Sequence, residues 1–435
     1  MALLNLIKGT HSWTELEVRI AGLPSEKERG DAFEEFCQAF FAIHPLFQFD
    51  RVYKQKEIPQ SVFKRLGYPV VQDIGIDGVA LTPDDKIFAY QAKFRTDRNH
   101  TPSLRELGTF FTMSDKADWR IVITNANSLP AAINDRVNHN KVLSDSLDQL
   151  EPDFFRRLRV YLEDNRIEPP EAKKPHITQQ ESIEGAVSYF RANNRGQLIL
   201  PCGTGKTLTA LWIAEQLSAT RILVLVPSLY LLRQTLREWA ENSTIRPFNY
   251  LCLCSDTTVD LGNDSPVESI HDLEVPVTTD ADTVSDFLMK HNGKGFILFS
   301  TYQSSKALSE ATLKAGIRYD FAVFDEAHRT ASVKAGVWNL ALDDVSVPIG
   351  KRLFMTATPR IYQPHIIKKA EDEDVLICSM DDHKVYGEPF YQMRFGQAID
   401  RGHITDYKVV VIFITDAEVR EIIQRGGRVI TDEHE

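Results

Sequence analysis

Ile199-Leu-Pro-Cys-Gly-Thr-Gly-Lys-Thr207 is the stretch that decides the fold of this chain. An apolar run, Gly196-Gln-Leu-Ile-Leu200, leads into it and an amphipathic pattern follows at 208–217, so we predict a strand, a glycine turn and a helix. Backbone N–H groups at such a helix start point at phosphate, Lys206 neutralises it, and the Thr207 hydroxyl can ligate Mg²⁺. The predicted nucleoside-triphosphate site comprises Pro201, Cys202, Gly203, Thr204, Gly205, Lys206 and Thr207.

A second apolar run, Tyr319-Asp-Phe-Ala-Val-Phe-Asp-Glu-Ala-His328, ends in two adjacent carboxylates. Asp325, at the end of a buried strand, can hold Mg²⁺, and Glu326 can polarise the attacking water. His328 lies where it can couple the nucleotide state to other elements. The alternative is an acid pair that only favours a helix N-terminus. A third apolar run, 351–360, ends in paired hydroxyls, and the ordered set of three predicts ATP hydrolysis.

These motifs resemble those of superfamily 2 helicases and translocases of the DEAH-box type. The resemblance covers about 170 to 410 and rests on the segments 201–207, 225–228, 299–303, 325–328 and 356–359. It implies a RecA-like parallel-sheet lobe that uses ATP and Mg²⁺. The segment Pro175-His-Ile-Thr-Gln-Gln-Glu-Ser-Ile183 looks like the adenine-reading segment of the family, which implies Gln179 as the adenine contact and Gln180 as the second choice.

The resemblance also implies contacts with a nucleic-acid strand. Two strand-end loops resemble the loops that touch the backbone, where small hydroxyls and free N–H groups suit phosphate. The residues concerned are Pro227, Ser228, Ser300 and Thr301. The alternative is that Pro227 and Ser228 merely turn the chain. Thr356 and Thr358 would link the ATP state to the strand track.

The first 165 residues hold a second constellation. Residues 30–41 predict a helix with Phe33, Phe36, Cys37 and Phe40 on one face and Glu34 beside it. The segments 73–81 and 86–94 predict a hairpin that brings Asp77 close to Gln91 and Lys93, which share one face of the second strand. The hairpin would gather a carboxylate, an amide oxygen and an ammonium around one hydrated metal, with Asp73 as an alternative ligand.

Oxygen ligands around a hard cation, with a lysine to orient the attacking water, are what a Mg²⁺-dependent phosphodiesterase needs. The arrangement resembles the PD-(D/E)xK nuclease superfamily, in particular its Mrr-like restriction branch, in the form Gly-x-x-Phe-Glu and Gln-x-Lys. The resemblance covers about 25 to 130. It implies Glu34, Asp77 and Gln91 as metal ligands and Lys93 as a catalytic residue. A nuclease fold that only binds nucleic acid, or a merely polar strand face, are the alternatives.

Composition limits the remaining classes of protein. The chain has 435 residues, 43% hydrophobic and 26% charged, with no apolar run of the roughly 20 residues that cross a membrane and no secretion signal. Five cysteines without zinc spacing favour a reduced cytoplasm. The net charge is −11, and residues 249–288 hold nine Asp/Glu and no Lys/Arg, which predicts a solvated surface loop. Arg156, Arg157 and Arg159 on a closing helix could meet DNA or solvent.

The predicted organisation is α/β throughout. We expect an N-terminal restriction-endonuclease-like domain at 1–165, a proline-rich linker at 166–174, a RecA-like ATPase lobe at 175–395 and the beginning of a truncated second lobe at 396–435. A strand at 406–415 would open that second lobe. We therefore expect a fragment that binds ATP but hydrolyses it weakly and does not translocate.

The predicted function is an ATP-dependent DNA translocase or helicase fused to a Mg²⁺-dependent endonuclease, acting in restriction or phage defence. The order of domains resembles the motor and nuclease parts of ATP-dependent restriction enzymes, including the single-chain type I kind. The expected partner is duplex DNA, with a methyltransferase or specificity module supplied from outside this chain. One alternative is a repair or RNA helicase whose N-terminal fold only binds nucleic acid. Another is an ATP-gated assembly subunit that does not translocate.

Overall fold

The computed structural model describes residues 2–68, 75–134, 136, 138–254, 269–331, 337–363, 365 and 378–406. Residues 1–393 form one compact unit and residues 394–435 a second. The first unit holds a mixed five-stranded sheet and a parallel eight-stranded sheet, so the predicted α/β class is confirmed. The predicted strand at 406–415 and the alternative ligand Asp73 lie outside the described residues.

The N-terminal half is built around the five-stranded sheet, whose order is β1-β2-β3-β4-β5. Its strands are β1 Arg51–Lys54, β2 Gly78–Leu81, β3 Ile87–Lys93, β4 Trp119–Thr124 and β5 His139–Val142. Its helices are α1 Ala2–Leu6, α2 Trp13–Ala21, α3 Glu26–Ile43, α4 Gln60–Arg65, α5 Leu104–Met113, α6 Ser144–Asp148 and α7 Pro152–Asp164. Short 3-10 helices span Gln55–Glu57 and Ala131–Ile133.

The predicted helix and hairpin in this half are both confirmed. Helix α3 begins after Ser25, whose side chain forms a capping box with Glu28, and its apolar face is buried. Strands β2 and β3 pair antiparallel, while β3, β4 and β5 run parallel to one another. The hairpin forms because two almost wholly buried strands flank a turn rich in Pro and Asp.

The second half is built around the eight-stranded sheet, in the order β13-β6-β12-β11-β7-β10-β8-β9. Its strands are β6 Arg195–Ile199, β7 Arg221–Val226, β8 Tyr250–Leu253, β9 Val277–Thr278, β10 Phe296–Thr301, β11 Tyr319–Phe324, β12 Ile349–Thr356 and β13 Glu388–Gln392. Its helices are α8 Ile177–Tyr189, α9 Lys206–Gln216, α10 Leu229–Asn242, α11 Ala281–His291, α12 Ser305–Ala315 and α13 His383–Tyr386. Short 3-10 helices span Ile270–Leu273, Tyr302–Ser304, Ala327–Thr330 and Val337–Leu342.

Every strand pairing described in this sheet is parallel, as in a RecA-like lobe. Parallel strands require crossover connections and place their carboxyl ends at one edge, where ligands bind in such sheets. The predicted strand, glycine turn and helix around Lys206 are confirmed as β6, the loop and α9. In the second unit, the described part contains helix α14, Phe395–Asp400.

The acidic segment 249–288 is not a single solvated loop, contrary to the prediction. It supplies β8, the 3-10 helix Ile270–Leu273, β9 and the start of α11, while 255–268 lie outside the described residues. One of its acids, Glu274, is 1% exposed. A carboxylate so far from water needs charge partners, because burying an ion alone costs several kcal/mol.

Helix α10 supplies those partners. The Arg233 Nε donates to Glu274 Oε1 at 2.9 Å, and an Arg237 guanidinium nitrogen lies 3.6 Å from Glu274 Oε2. From the N-terminal half, the Ser146 hydroxyl donates to Glu274 at 2.7 Å and Asp145 accepts from Arg233 at 2.7 Å. Arg237 also donates to Gln149 at 2.5 Å. This buried cluster, called the Glu274 network below, joins α6, α10 and the acidic segment.

Further contacts join the two halves around the network. Lys141 of β5 pairs with Asp272 at 2.8 Å, and the Tyr250 hydroxyl donates to the Leu46 carbonyl at 2.6 Å. The predicted linker also packs, since the Lys173 N–H donates to the Asn242 side chain at 2.9 Å. The two sheets are therefore tied through side chains and not only through the chain connection at 165–176.

The three arginines of α7 all form contacts within their own chain. Arg156 pairs with Asp153 and Glu168, Arg157 is buried and donates to the Ile43 carbonyl, and Arg159 donates to the Thr10 carbonyl. Arg156 is exposed, as a solvated face predicts, whereas Arg157 is buried and does not contribute to such a face. Among the described residues, no helix combines the length and apolar character that crossing a membrane requires.

We predict that Glu274→Ala lowers the free energy of unfolding by about 3 kcal/mol, because it leaves two buried arginines without their shared counter-charge. Urea unfolding measures the change. Lys314→Ala, which removes the exposed Lys314–Asp282 pair, is the control and should cost clearly less stability, because water screens an exposed pair. Equal losses in the two variants would contradict a central role for the Glu274 network.

Candidate nucleotide and nuclease sites

The glycine loop lies between β6 and α9. Gly203 and Gly205 have φ angles of +81° and +77°, which residues with a Cβ adopt only with strain. The Thr204 hydroxyl donates to the Pro201 carbonyl at 2.8 Å and closes the turn. The exposed side chain of Cys202 lies on the same loop. The sequence folds this way because only glycine allows both left-handed positions so close to a helix start.

Lys206, the first residue of α9, extends over the loop. Its ammonium donates to the carbonyl of Leu200 at 3.2 Å and to that of Pro201 at 3.4 Å. Thr207 follows it, and its carbonyl accepts from the Trp239 indole of α10 at 3.0 Å. A bound phosphate would offer the ammonium stronger, charged acceptors than these two carbonyls.

Gln179, in the first turn of α8, is brought to this loop. Its side-chain oxygen accepts from the His176 N–H at 3.0 Å, and its amide nitrogen donates to the Gly205 carbonyl at 3.1 Å. The position of Gly205 favours glycine because of its φ of +77°, and a Cβ there would also displace the Gln179 amide. The second choice, Gln180, faces outward and donates to Glu184 at 3.3 Å. The geometry therefore favours Gln179 over Gln180 as the residue beside a nucleotide.

Asp325 and Glu326 follow β11, two strands away from β6 in the sheet. Burial, and next the charge of Glu326, raise the pKa of Asp325 to about 6, and the nearby Lys206 ammonium opposes that rise. The Glu326 N–H donates to Asp325 at 3.0 Å, and Glu326 itself has a φ of +47°. Two acids near Lys206 at the carboxyl edge of the sheet form a place for a cation beside phosphate.

A chain of contacts leads from these acids to β12. His328 Nδ1 lies 3.3 Å from a Glu326 carboxylate oxygen and 2.9 Å from the Thr356 hydroxyl. The hydrogen bond with His328 lowers the pKa of Glu326. The Thr358 N–H then donates to the Thr356 hydroxyl at 3.1 Å. The structure thus brings together the residues for which we predicted coupling.

The predicted strand-contact residues divide into two groups. Pro227 and Ser228 follow β7, and the Ser228 hydroxyl caps α10 by accepting from the Leu231 N–H at 3.3 Å. Ser300 and Thr301 are fully buried, and their hydroxyls bond to Thr301 and Ser304 inside the protein. These two hydroxyls are therefore not available to a nucleic-acid backbone in this structure. Sequence reasoning missed the partly exposed Gln303, whose amide donates to the Pro227 carbonyl at 3.4 Å.

The second site lies where β2 and β3 separate. An oxygen of Asp77 accepts from the Ala92 N–H at 2.7 Å and from the Gln91 side-chain amide. The Asp77 N–H donates to the Tyr90 carbonyl at 3.1 Å. Asp77 and Gln91 are therefore adjacent, as the predicted hairpin requires, and the backbone of β3 fixes the carboxylate.

Glu34 completes this group from α3. Burial raises its pKa to about 7, followed by the negative charges of Asp77 and Asp31, while Lys93 and Lys54 act in the opposite direction. A charge effect of this kind requires proximity, so Glu34, Asp77 and Lys93 belong to one electrostatic cluster. We call Glu34 and Asp77 the acid pair.

The acid pair suits a hard divalent cation. The donor set is two carboxylates and one amide, which are the oxygen ligands that Mg²⁺ prefers. Among the described residues, no group of three or more His, Cys, Asp or Glu is arranged to hold a metal, so the third ligand must be the amide, the backbone or water. Because burial, and next the charge of Asp77, disfavour the ionised form of Glu34 and so raise its pKa, a cation between the acids would lower the free energy of the cluster.

A polar cluster that the sequence analysis missed supports the end of β3. The Thr124 hydroxyl donates to the Lys93 carbonyl at 2.6 Å, and the Arg95 N–H donates to the Asn125 side chain at 2.6 Å. The Asn125 amide in turn donates to Glu17 of α2 at 2.6 Å. The only sequence signal was the polar end of the β4 strand pattern. These bonds fix the backbone on both sides of Lys93.

Comparisons with known proteins found relatives for parts of this chain. Residues 172–361 match the family model described as the res subunit of type III restriction enzymes. A probable helicase of African swine fever virus is 25% identical over 244 residues, which cover 55% of this chain and 24% of that protein. The matched segment therefore resembles helicase-like proteins, in agreement with the parallel sheet and glycine loop described above.

One solved structure resembles nearly the whole chain. An ATP-dependent type ISP restriction-modification enzyme, LlaBIII, bound to DNA, superposes with a TM-score of 0.72 and 26% identity, covering 96% of this chain and 27% of that one. The chain spans about a quarter of the length of the relatives that it matches. The N-terminal sheet and the ATPase lobe thus occur together in a protein of the restriction class.

We predict that Glu34→Gln stabilises the protein at pH 8 by about 1 kcal/mol, a value reduced for partial exposure. The folded pKa of Glu34, about 7, exceeds the ordinary value of 4.5, so wild-type stability is lost as the pH rises through this range. The neutral glutamine avoids that loss. Urea unfolding from pH 4 to 8 should show the two proteins converging below pH 4.5. A gain independent of pH would contradict the assignment.

Proposed function

We propose that this chain is the nuclease and motor part of an ATP-dependent restriction enzyme. It would act as an ATP-dependent DNA translocase or helicase fused to a Mg²⁺-dependent endodeoxyribonuclease. The observation that carries the proposal is the joining, within residues 1–393, of a helicase-like ATPase lobe to an acid pair with adjacent Gln91 and Lys93. The likeness to a type ISP enzyme bound to DNA supports both the chemistry and the substrate.

At the nucleotide site, Lys206 would neutralise the β- and γ-phosphates of ATP, and Gln179 would bind the adenine. Thr207 and Asp325 would hold Mg²⁺, which supplies charge neutralisation when it is bound with nucleotide. Glu326 would accept a proton from the attacking water, because the hydrogen bond with His328 keeps it ionised. The contact of His328 with Thr356 would then pass the state of the site to the end of β12.

At the nuclease site, Glu34, Asp77 and Gln91 would hold Mg²⁺, which polarises the phosphodiester when it is bound. Lys93 would orient the attacking water and stabilise the negative charge that develops on the phosphate. The fixed backbone around Lys93 supports this role, since small displacements of a catalytic group reduce rates strongly. Choice of a target sequence would come from a methyltransferase or specificity module outside this chain.

A second candidate is a repair or RNA helicase whose N-terminal half only binds nucleic acid. The observation in its favour is that the described residues offer two carboxylates, and not three, at the nuclease site. A third reading, an ATP-gated assembly subunit that does not translocate, would bind ATP without stimulation by DNA.

We predict that Lys206→Ala weakens ATP binding at least 10-fold, because the phosphates lose their charge-assisted donor. Gln179→Ala should weaken ATP more than it weakens pyrophosphate, because only ATP carries the adenine. Isothermal titration with both ligands measures these changes, and Gln180→Ala is the matched control on the outer face of α8. Equal effects of the two glutamine substitutions would contradict the role of Gln179 in binding adenine.

We predict that the chain nicks or cuts supercoiled plasmid with Mg²⁺ and that Lys93→Ala lowers the rate at least 100-fold, because the developing charge loses its cation. Plasmid cleavage with and without ATP measures the rate, and Lys206→Ala reports whether ATP controls it. ATP binding by the Lys93→Ala protein is the control for folding. Cleavage unaffected by Lys93→Ala would favour the nucleic-acid-binding alternative.

A further inference from the structure

A second lysine lies beside the acid pair on the edge strand of the N-terminal sheet. Lys54 of β1 is the register partner of Gly78, which is itself the partner of Tyr90 on β3. Its neighbour Tyr53 packs against the apolar core on one face of the sheet, so Lys54 lies on the opposite face. That is the face of α3, since Phe41 of α3 contacts the Tyr90 ring at 5.0 Å.

Gly78, between Lys54 and Tyr90 in the sheet, allows the Tyr90 ring to lie directly over the backbone of β2. Any Cβ at Gly78 would overlap the Tyr90 ring and the Tyr53 carbonyl. The Gln55 N–H donates to the Asp77 carbonyl at 2.9 Å and holds the end of β1 against the start of β2. Lys54 is therefore the neighbour of a residue that is hydrogen-bonded to Asp77. Its charge also lowers the pKa of Glu34.

The Lys54 ammonium has no carboxylate within ion-pair distance among the described residues. The nearest acid in sequence, Glu57, instead accepts from the Lys54 N–H at 3.3 Å and from the Gln38 side chain at 2.9 Å. Lys54 is half-buried. A lysine that has given up part of its water without gaining an anion is suited to receive one.

We infer that Lys54 binds a backbone phosphate of the DNA strand at the nuclease site, on the other side of Asp77 from Lys93. Strand β2, which Asp77 precedes, lies between the strands of the two lysines, and the charges of both lysines act on Glu34. The inference rests on the proposed nuclease function and adds a substrate-binding residue to it. A lysine suits this role because it acts as a point charge on phosphate.

The first test is the salt dependence of DNA binding. The Lys93→Ala background is used because little cutting is expected in it. Fluorescence anisotropy then measures the affinity for a short labelled duplex at salt concentrations from about 50 to about 200 mM. Lys54→Gln should reduce the slope of log K against log salt by about 1, the loss of one phosphate contact. Lys54→Arg should keep the slope. Lys64→Gln, on the exposed side of α4, is the matched control and should also keep it.

The second test is cleavage in the otherwise wild-type protein. Lys54→Gln should raise KM for plasmid about 10-fold, roughly the cost of one charged contact, with a smaller effect on kcat. Lys54→Arg should restore KM, and thermal unfolding shows whether each variant is folded. A structural role for Lys54 would lower the melting temperature without changing the salt slope.

The outcomes separate this inference from the nuclease proposal. A lower salt slope for Lys54→Gln, in a chain that never cuts plasmid, would keep Lys54 as a phosphate contact and reject the nuclease. Cutting that is lost with Lys93→Ala but unchanged in KM and salt slope with Lys54→Gln would keep the nuclease and reject the role of Lys54. A chain that does not bind duplex DNA at all would overturn both.

Discussion

The buried carboxylate of Glu274 is the constraint on which the arrangement of the two sheets depends. It is held by Arg233 and Arg237 of α10 and by the Ser146 hydroxyl of α6. Removal of any one partner leaves uncompensated charge out of water, which costs more than the pairs themselves contribute. The halves therefore separate only if several desolvated groups regain water together. This makes the interface specific, although not necessarily more stable than an apolar one.

This constraint matters for function because of where α10 begins. The N-cap residue of α10, Ser228, belongs to the loop after β7. The Trp239 indole of the same helix donates to the carbonyl of Thr207, next to Lys206. The helix that carries both arginines of the network thus starts at the proposed strand-contact loop and touches the nucleotide loop. Any displacement of α10 during an ATP cycle would carry the N-terminal sheet with it. Under the proposed function, the acid pair would then move together with the ATPase lobe.

Local patterns predicted the parts of the sites that are local in sequence. The glycine loop around Lys206, the helix of Glu34 and the hairpin of Asp77 all follow from periodicity and turn residues over fewer than about 20 positions. The pairing of Glu274 with α10 and the role of Asn125 could not be predicted from local patterns. Their partners are distant in sequence, and the residues involved are ordinary polar ones. Burial of Ser300 and Thr301 was missed for a related reason, since a hydroxyl at a strand end looks the same in sequence whether or not it faces water.

The two sites share one electrostatic feature, a carboxyl group with a raised pKa beside another acid and a lysine. Burial raises the pKa of Asp325 to about 6 and that of Glu34 to about 7, and in each case a neighbouring acid adds to the rise. Both sites also hold a lysine whose charge opposes the shift. A carboxylate that is disfavoured as an ion is relieved by a divalent cation, and a lysine close to acids still attracts phosphate once that cation is present. Without a metal, the acids of each site repel phosphate and offset the attraction of the lysine. Both sites therefore favour binding of a metal and a phosphate together over binding of either one separately.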